Sequence, residues 1–429
     1  AGEHVAATEF VIGAMFVIHG VAARDLFWGL LLGNFLAVLS WAFIVAPIAV
    51  RTRLTLYWYL RKICGPGLTY IYNVANAFLY CILAGAMIAV SATAVGLAFK
   101  IPTPALTDVL PNSVGWVVIT LLVGGVVTLF AILGFEKVSK FSSVCSPWLL
   151  AIFVAGALAL LPDLGSIHSL SEFWTVAKTK IWTGNLPPGT PESIEKYGFW
   201  HITFFAWFCN LAMHVGLSDM AIFRYARTWK YGFFSAFGMY PGHFLAWICS
   251  GIMLAAATIK GGINPGEMNP GMMAYTAAGL AGAVAVVVAG WTTANPTMYR
   301  AGLALQVATP NWARWRVTLA AGVTTTIVSC FPVVFMRLLD FVALYGLILM
   351  PIGAVVFAEH WILPKLGWQQ YRAEKRNLFI NWAALGTWVA TLAIVFILPI
   401  HLFFKWLPGY FIAQALYVLL SYFSHRRSK

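Results

Sequence analysis

The sequence predicts an all-α polytopic membrane protein with twelve transmembrane helices, and three observations predict it. Of 429 residues, 61% are hydrophobic and 10% charged, with mean hydropathy +0.82. A soluble domain carries about 25% charged residues, so this chain has too little polar surface to face water all round. Apolar windows of about 20 residues, the length that crosses a bilayer as a helix, recur twelve times. Between them the basic residues collect in alternate loops. The net charge of +13 therefore encodes topology and not a nucleic-acid partner. No cleavable signal pattern precedes the first apolar segment, which reads as a membrane helix. The six cysteines, at 64, 81, 145, 209, 249 and 330, show no C-x-x-C spacing. They form neither a disulfide framework nor a zinc site, and no organic cofactor is expected.

The twelve spans run over 5–23, 26–50, 67–99, 114–134, 144–162, 199–219, 231–259, 274–307, 315–331, 333–362, 378–400 and 406–424. The third, seventh, eighth and tenth are long enough to tilt or to begin outside the lipid. The first is barely long enough, and the abrupt opening at Ala1 reads as an incomplete start. With the N-terminus in the cytoplasm, 19 of the 27 basic residues fall inside, among them Arg51, Arg53, Arg61, Lys62, Arg224, Arg227, Lys230 and Arg314. That orientation places both termini in the cytoplasm of a cell inner (plasma) membrane protein.

The one sizeable hydrophilic stretch, Asp163 to Gly198, lies outside and follows span five. Its segment Gly184-Asn-Leu-Pro-Pro-Gly-Thr-Pro191 is turn-rich and has no helical period. It splits the chain into five spans and seven. Two inverted five-helix repeats with two trailing helices give that division, because an odd number of spans inverts the second repeat. The expected organisation is a first repeat over 1–162, an outside loop over 163–198, a second, inverted repeat over 199–362, and two C-terminal helices with a basic tail over 363–429.

Span eight carries a dense polar patch, Gly290-Trp-Thr-Thr-Ala-Asn-Pro-Thr-Met-Tyr299. In lipid, polar groups and a proline are tolerated where they face protein, water or ligand. Hydroxyl and carbonyl oxygens suit a hard cation such as sodium, and Pro296 frees a backbone carbonyl one turn earlier. The competing reading is a Pro-kinked helix whose threonines bond back to their own carbonyls. Span six holds Asn210, His214 and Gly216, which mark a break in the helix, or close helix packing at the glycine. Glu9, in span one, is costly in an apolar segment unless paired or functional.

These residues resemble the nucleobase:cation symporter-1 family over nearly the whole chain. Leu32-Gly-Asn-Phe-Leu-Ala and Arg61-Lys-Ile-Cys-Gly-Pro-Gly67 look like its second helix and following loop. Gly134-Phe-Glu…Ser146-Pro147 looks like the entry to its fifth helix. Ser218-Asp219 with Arg224-Tyr-Ala-Arg227 is similar to its signature after helix six, here with two extra residues. Trp291-Thr-Thr-Ala-Asn295 with Tyr299 looks like its helix eight, and Met350-Pro-Ile-Gly-Ala-Val-Val-Phe-Ala-Glu359 is similar to its helix ten.

The resemblance implies the LeuT-type fold and a secondary transporter, not an enzyme, that imports a nucleobase or related heterocycle by alternating access. It implies a pocket between helices one, three, six and eight, in which a flat ring stacks on aromatic side chains. The family's stacking tryptophan falls on Tyr80, with Asn76 one turn earlier on the same face. The remaining substrate-binding candidates are Trp291, Asn295, Asn210 and His214. The implied sodium ligands are Thr292 and Thr293. Glu9 and His214 are the groups that proton coupling would use instead. Partners are then a small heterocycle and the bilayer, with the protein a monomer or weak homo-oligomer. A haem carrier is the runner-up from another class, but His201 and His214 lie 13 residues apart in span six, roughly 140° around a helix. A receptor or structural subunit that keeps the fold without flux is the third reading.

Overall fold

The computed structural model describes residues 6–104, 108–190, 192, 194–211, 216–262, 264–265, 268–336 and 338–426. Each predicted span contains a helix: α1 Thr8–Ile18, α2 Ala23–Thr52, α3 Pro66–Ala98, α4 Val114–Ile132, α5 Phe135–Leu164 and α6 Phe199–Leu211. The second half supplies α7 Trp229–Gly261, α8 Pro270–Ala308, α9 Arg314–Ser329, α10 Leu338–Lys365, α11 Trp382–Ile397 and α12 Leu402–Arg426. Among the described residues, eight are long and apolar enough to cross a membrane, while α1, α6 and α11 are apolar but shorter. The protein is a multi-pass membrane protein. The β structure among the described residues is one isolated bridge, Ala22 to Thr183.

The chain forms two compact units that interleave along the sequence. The first comprises residues 1–31, 77–202 and 237–338; the second comprises 32–76, 203–236 and 339–429. Each predicted five-helix repeat contributes to both.

In the first unit, small residues let helices approach until backbone meets side chain, the usual route to packing where lipid offers no hydrophobic drive. Gly13 of α1 lies on α7, and Gly290 of α8 lies on Ser91 and Met87 of α3. α4 and α9 interlock reciprocally, Gly124 against Thr326 and Gly322 against Thr128. The indole of Trp116 seals their end by donating to Cys330 O at 2.9 Å. The 163–198 stretch folds back as well: Ala23 N–H donates to Trp182 O at 2.9 Å, and Trp182 is buried against Gly251.

The competing reading of a Pro-kinked α8 is qualified here, because the backbone around Pro296 keeps helical dihedral angles. The non-helical residues of α8 are Ala278 and Gly279, the latter at φ +55°, a conformation cheap for glycine.

The second unit explains several motifs as docking devices. Gly65 adopts φ +82°, and a Cβ there would meet Leu378 O at 2.5 Å and Phe379 O at 2.7 Å. Gly67 N–H donates to Phe379 O at 2.9 Å, so Gly65-Pro-Gly67 is a clamp for the segment before α11. Asn381 caps α11 and donates to Ile63 O at 2.8 Å. Asp219 caps nothing; its Oδ2 accepts from Trp41 Nε1 at 2.9 Å. Arg53 donates to Arg224 O and Ala226 O at 2.7 and 2.6 Å, fixing the loop that follows α6.

Gly13→Ala tests the α1–α7 contact. The new methyl would overlap Trp247 O and lie 2.6 Å from Ser250 Cβ. Overpacking of this kind costs about 1–3 kcal/mol, read as a lowered melting temperature of the purified protein. Gly125→Ala, with nothing within 4 Å, should leave it unchanged.

Candidate substrate and cation site

Three contacts fix the relative direction of α3 and α8 in the first unit. Met87 O lies 2.7 Å from where a Gly290 Cβ would be, Ser91 Oγ donates to Val287 O at 3.4 Å, and Gly271 N–H donates to Thr93 Oγ1 at 3.1 Å. As α3 rises in number α8 falls, so the helices run antiparallel. Tyr80 lies seven residues before Met87, and Thr297 lies seven beyond Gly290. At 1.5 Å per residue both sit roughly 10 Å from the shared contact. The wholly buried Tyr80 is thus level with the Asn295–Thr297 turn.

The polar patch is satisfied mostly from within. Thr292 and Thr293 both donate to Ala289 O, at 2.9 and 3.3 Å, and Thr297 donates to Thr293 O at 2.8 Å. Asn295 Nδ2 donates to Trp291 O at 2.9 Å. Pro296, lacking an N–H, frees Thr292 O as its sequence position implies, and Ser142 Oγ of α5 approaches that carbonyl at 3.4 Å. A hydroxyl that donates its proton keeps both lone pairs. Back-bonding therefore orients Thr292 and Thr293 without removing their capacity to ligate a cation.

What remains unmatched is informative. Among the described residues, Trp291 Nε1 and Asn295 Oδ1 are buried without a hydrogen-bond partner. Glu9 Oε2, in the first turn of α1, is a third such atom. They are three of 22 such side-chain atoms among the described residues, so they are open bonding positions at the candidate site and do not by themselves require a ligand. Here they are a donor, an amide acceptor and a carboxyl oxygen.

Glu9 is 3% exposed; Oε1 accepts from Thr8 Oγ1 at 3.2 Å and faces His243 Nε2 at 3.6 Å. The His243 ring stacks on Trp247, centroids 4.7 Å apart and planes 12° from parallel. His243 lies in a π-helical turn, Gly238–Phe244, that contains Pro241. Sequence reasoning missed His243, although a histidine inside an apolar span was signal enough.

Other candidates are engaged. Asn76, one turn before Tyr80 on α3, has its Oδ1 accepting from Tyr345 Oη at 2.8 Å and its Nδ2 donating to Tyr57 Oη at 3.4 Å. The side chain of Asn210, and His214 entirely, lie outside the described residues. Glu359, at the end of the helix-ten motif, is fully buried and closed. Its Oε1 accepts from Tyr417 Oη at 2.6 Å and its Oε2 from Tyr371 N–H at 3.2 Å.

No protein-family model matches this chain, and no curated protein matches it in sequence. Solved structures do match it. Mhp1, a nucleobase-cation-symport-1 family transporter in a closed conformation with bromovinylhydantoin bound, superposes with a TM-score of 0.70 at 17% identity, covering 99% of this chain and 93% of that one. The chain has the Mhp1 fold. A Na+-coupled sialic acid symporter, substrate-bound and outward-open, gives 0.59 at 14% identity over 98% of this chain and 88% of that one. MhsT in complex with L-phenylalanine gives 0.52 at 16% over 96% and 97%. The expected LeuT-type architecture of two inverted five-helix repeats is therefore present, shared across transporters whose names carry different substrates.

The Asn76 network yields a prediction. If the amide is a strut, Asn76→Ala removes the 2.8 Å acceptor of Tyr345 Oη, leaving the Asn76 carbonyl at 3.5 Å, and costs about 1 kcal/mol of stability. Thermal unfolding without substrate reads that loss, and Tyr345→Phe should cost less. Unchanged melting of Asn76→Ala would return the residue to the ligand set.

Proposed function

We propose that the protein is a secondary transporter that moves a nucleobase or related flat heterocycle across the plasma membrane by alternating access, coupled to sodium. The observation that carries this reading is the unpartnered Asn295 Oδ1, on the buried turn of α8 level with Tyr80, with the unpartnered Trp291 Nε1 one turn earlier on the same helix. A planar heterocycle supplies what such a place lacks: a face for the phenol ring and N–H and C=O groups at its edge. The full-length likeness to Mhp1, whose bound ligand is a hydantoin, supports the same class of substrate. Sodium would use the lone pairs of Thr292 and Thr293. A neutral set of hydroxyl and carbonyl oxygens fits a monovalent cation, since no carboxylate is needed to balance a second charge. Both termini are assigned to the cytoplasm by the distribution of basic residues.

Tyr80 is the most direct test. Tyr80→Ala should weaken binding by about 1–3 kcal/mol, the worth of a base–aromatic stack, or roughly ten- to hundredfold in affinity. Tyr80→Phe and Tyr80→Trp keep the ring and should bind nearly normally. Thermal-shift titration against hydantoins, purines, pyrimidines and thiamine precursors, with and without sodium, reads the effect. Equal losses in Tyr80→Phe and Tyr80→Ala would remove the stacking role.

A second reading, proton coupling, is favoured by the Glu9–His243 pair, since two buried ionisable groups in contact can hold a proton between them. The alternatives part in proteoliposomes under imposed gradients. Sodium coupling predicts that Thr293→Val abolishes sodium-dependent substrate affinity while the protein still folds, and that Glu9→Gln leaves it intact. Proton coupling predicts that Glu9→Gln abolishes gradient-driven uptake at constant sodium while Thr293→Val is silent.

A further inference from the structure

The ends of three membrane helices in the second unit converge on a groove that transport leaves unused. Arg51 lies in the last turn of α2, Trp229 opens α7, and Trp361 lies in the π-helical turn Ala358–Ile362 near the end of α10. With Phe43, Pro47 and Val50 they line a cavity of about 590 Å³. Three helix ends together mark the edge of the hydrocarbon, where tryptophans settle at headgroup level. From Arg51 back to Phe43 the wall descends eight residues, roughly 12 Å of helix, into an apolar slot. Phe43 is 51% exposed, and its ring lies 5.7 Å from that of Trp229.

The rim of this slot carries an unsatisfied charge. The Arg51 guanidinium lies 5.7 Å from the centroid of the Trp361 ring. Exposed as it is, it has no hydrogen bond or ion pair among the described residues. Two basic residues close to it in sequence are engaged elsewhere: Arg53 holds Arg224 O and Ala226 O, and Lys62 pairs with Glu374 at 2.7 Å, while Lys230 follows Trp229 but does not line the groove.

We propose that this groove binds an anionic phospholipid, its phosphodiester on Arg51 and one acyl chain along Phe43, Pro47 and Val50. A guanidinium fork matches phosphate oxygens two at a time, and stacking on an indole holds it ready. The slot below it is apolar and long, which a chain of methylenes fills and a free phosphate does not. A zwitterionic lipid fills the slot equally well but brings its own cation, which competes with Arg51 for the phosphate. Selectivity therefore resides in the arginine and affinity in the slot, independently of what the protein transports.

The test uses the delipidated full-length protein in detergent, titrated with phosphatidylglycerol, with phosphatidylcholine of the same chains, and with glycerol phosphate, and read by native mass spectrometry and melting temperature. Phosphatidylglycerol should bind about fivefold more tightly than phosphatidylcholine, the worth of one interfacial cation. Arg51→Gln should bring the ratio to about one, and Arg51→Lys, which keeps charge but loses the fork, should give an intermediate ratio. Phe43→Ala should weaken both lipids and preserve the ratio. A fivefold preference surviving Arg51→Gln would overturn the proposal. So would a stabilisation by glycerol phosphate equal to that by the lipid, which would mark a small-anion site instead.

Discussion

In apolar surroundings a backbone group that leaves the helical ladder has to find another partner, and much of this structure follows from that constraint. Thr292 O loses its ladder donor to Pro296, and Ser142 of the neighbouring helix turns toward it. Arg224 O and Ala226 O, in the loop after α6, are collected by one guanidinium. The amide of Gly67 finds Phe379 O, and the side chain of Asn381 reaches Ile63 O. Each partner is supplied by a residue distant in sequence. The constraint that permits irregular backbone thereby also ties the segments of each unit together.

The same constraint explains how the α8 patch can be quiet and available at once. Thr292 and Thr293 spend their protons on Ala289 O, so neither hydroxyl of the pair is left as an open donor. Oxygen lone pairs are a smaller liability, and they are what a cation uses. The back-bonded and ion-binding readings of the threonines are two occupancies of one arrangement. They differ in whether the lone pairs meet a charge.

Hydropathy and the 3.6-residue period made the fold legible, because lipid leaves few ways to satisfy a backbone. A helix in each predicted span, the order of those helices and the length of the third, seventh, eighth and tenth were readable; eight helices among the described residues are long and apolar enough to cross a membrane. The position of the break in α8 was not readable. Pro296 signalled a break, yet the helical dihedral angles continue through it, and the ladder is interrupted at Ala278–Gly279, where glycine permits positive φ. Individual site residues were less legible still. Asn76 and Tyr80 share a helical face one turn apart, but periodicity cannot tell that Tyr345 already occupies the amide of Asn76. His243 carried its own signal, an imidazole in an apolar run, but its pairing with Glu9 joins residues 234 positions apart. Motifs of glycine and proline, such as Gly65-Pro-Gly67, proved to serve docking and not chemistry.

Two buried carboxyls show how burial alone fails to mark function. Glu359 and Glu9 are 0% and 3% exposed, each on an apolar helix. Glu359 has a phenol on one oxygen and a backbone amide on the other, and its own carbonyl accepts from Gln370 Nε2 at 2.6 Å. Its capacity is filled by groups that also hold α12 and the Tyr371 turn in place, so removing it would leave donors stranded in the core. Glu9 has one hydroxyl and one imidazole on Oε1 and the Trp247 indole beside the carboxyl, while Oε2 accepts no well-formed hydrogen bond among the described residues. A carboxyl left half-partnered in an apolar core costs stability that simple packing would have avoided. Such a cost is sustained where the open oxygen meets something that comes and goes. By that criterion Glu359 belongs to the scaffold, and the open oxygen of Glu9 is what the proposed proton-coupled reading rests on.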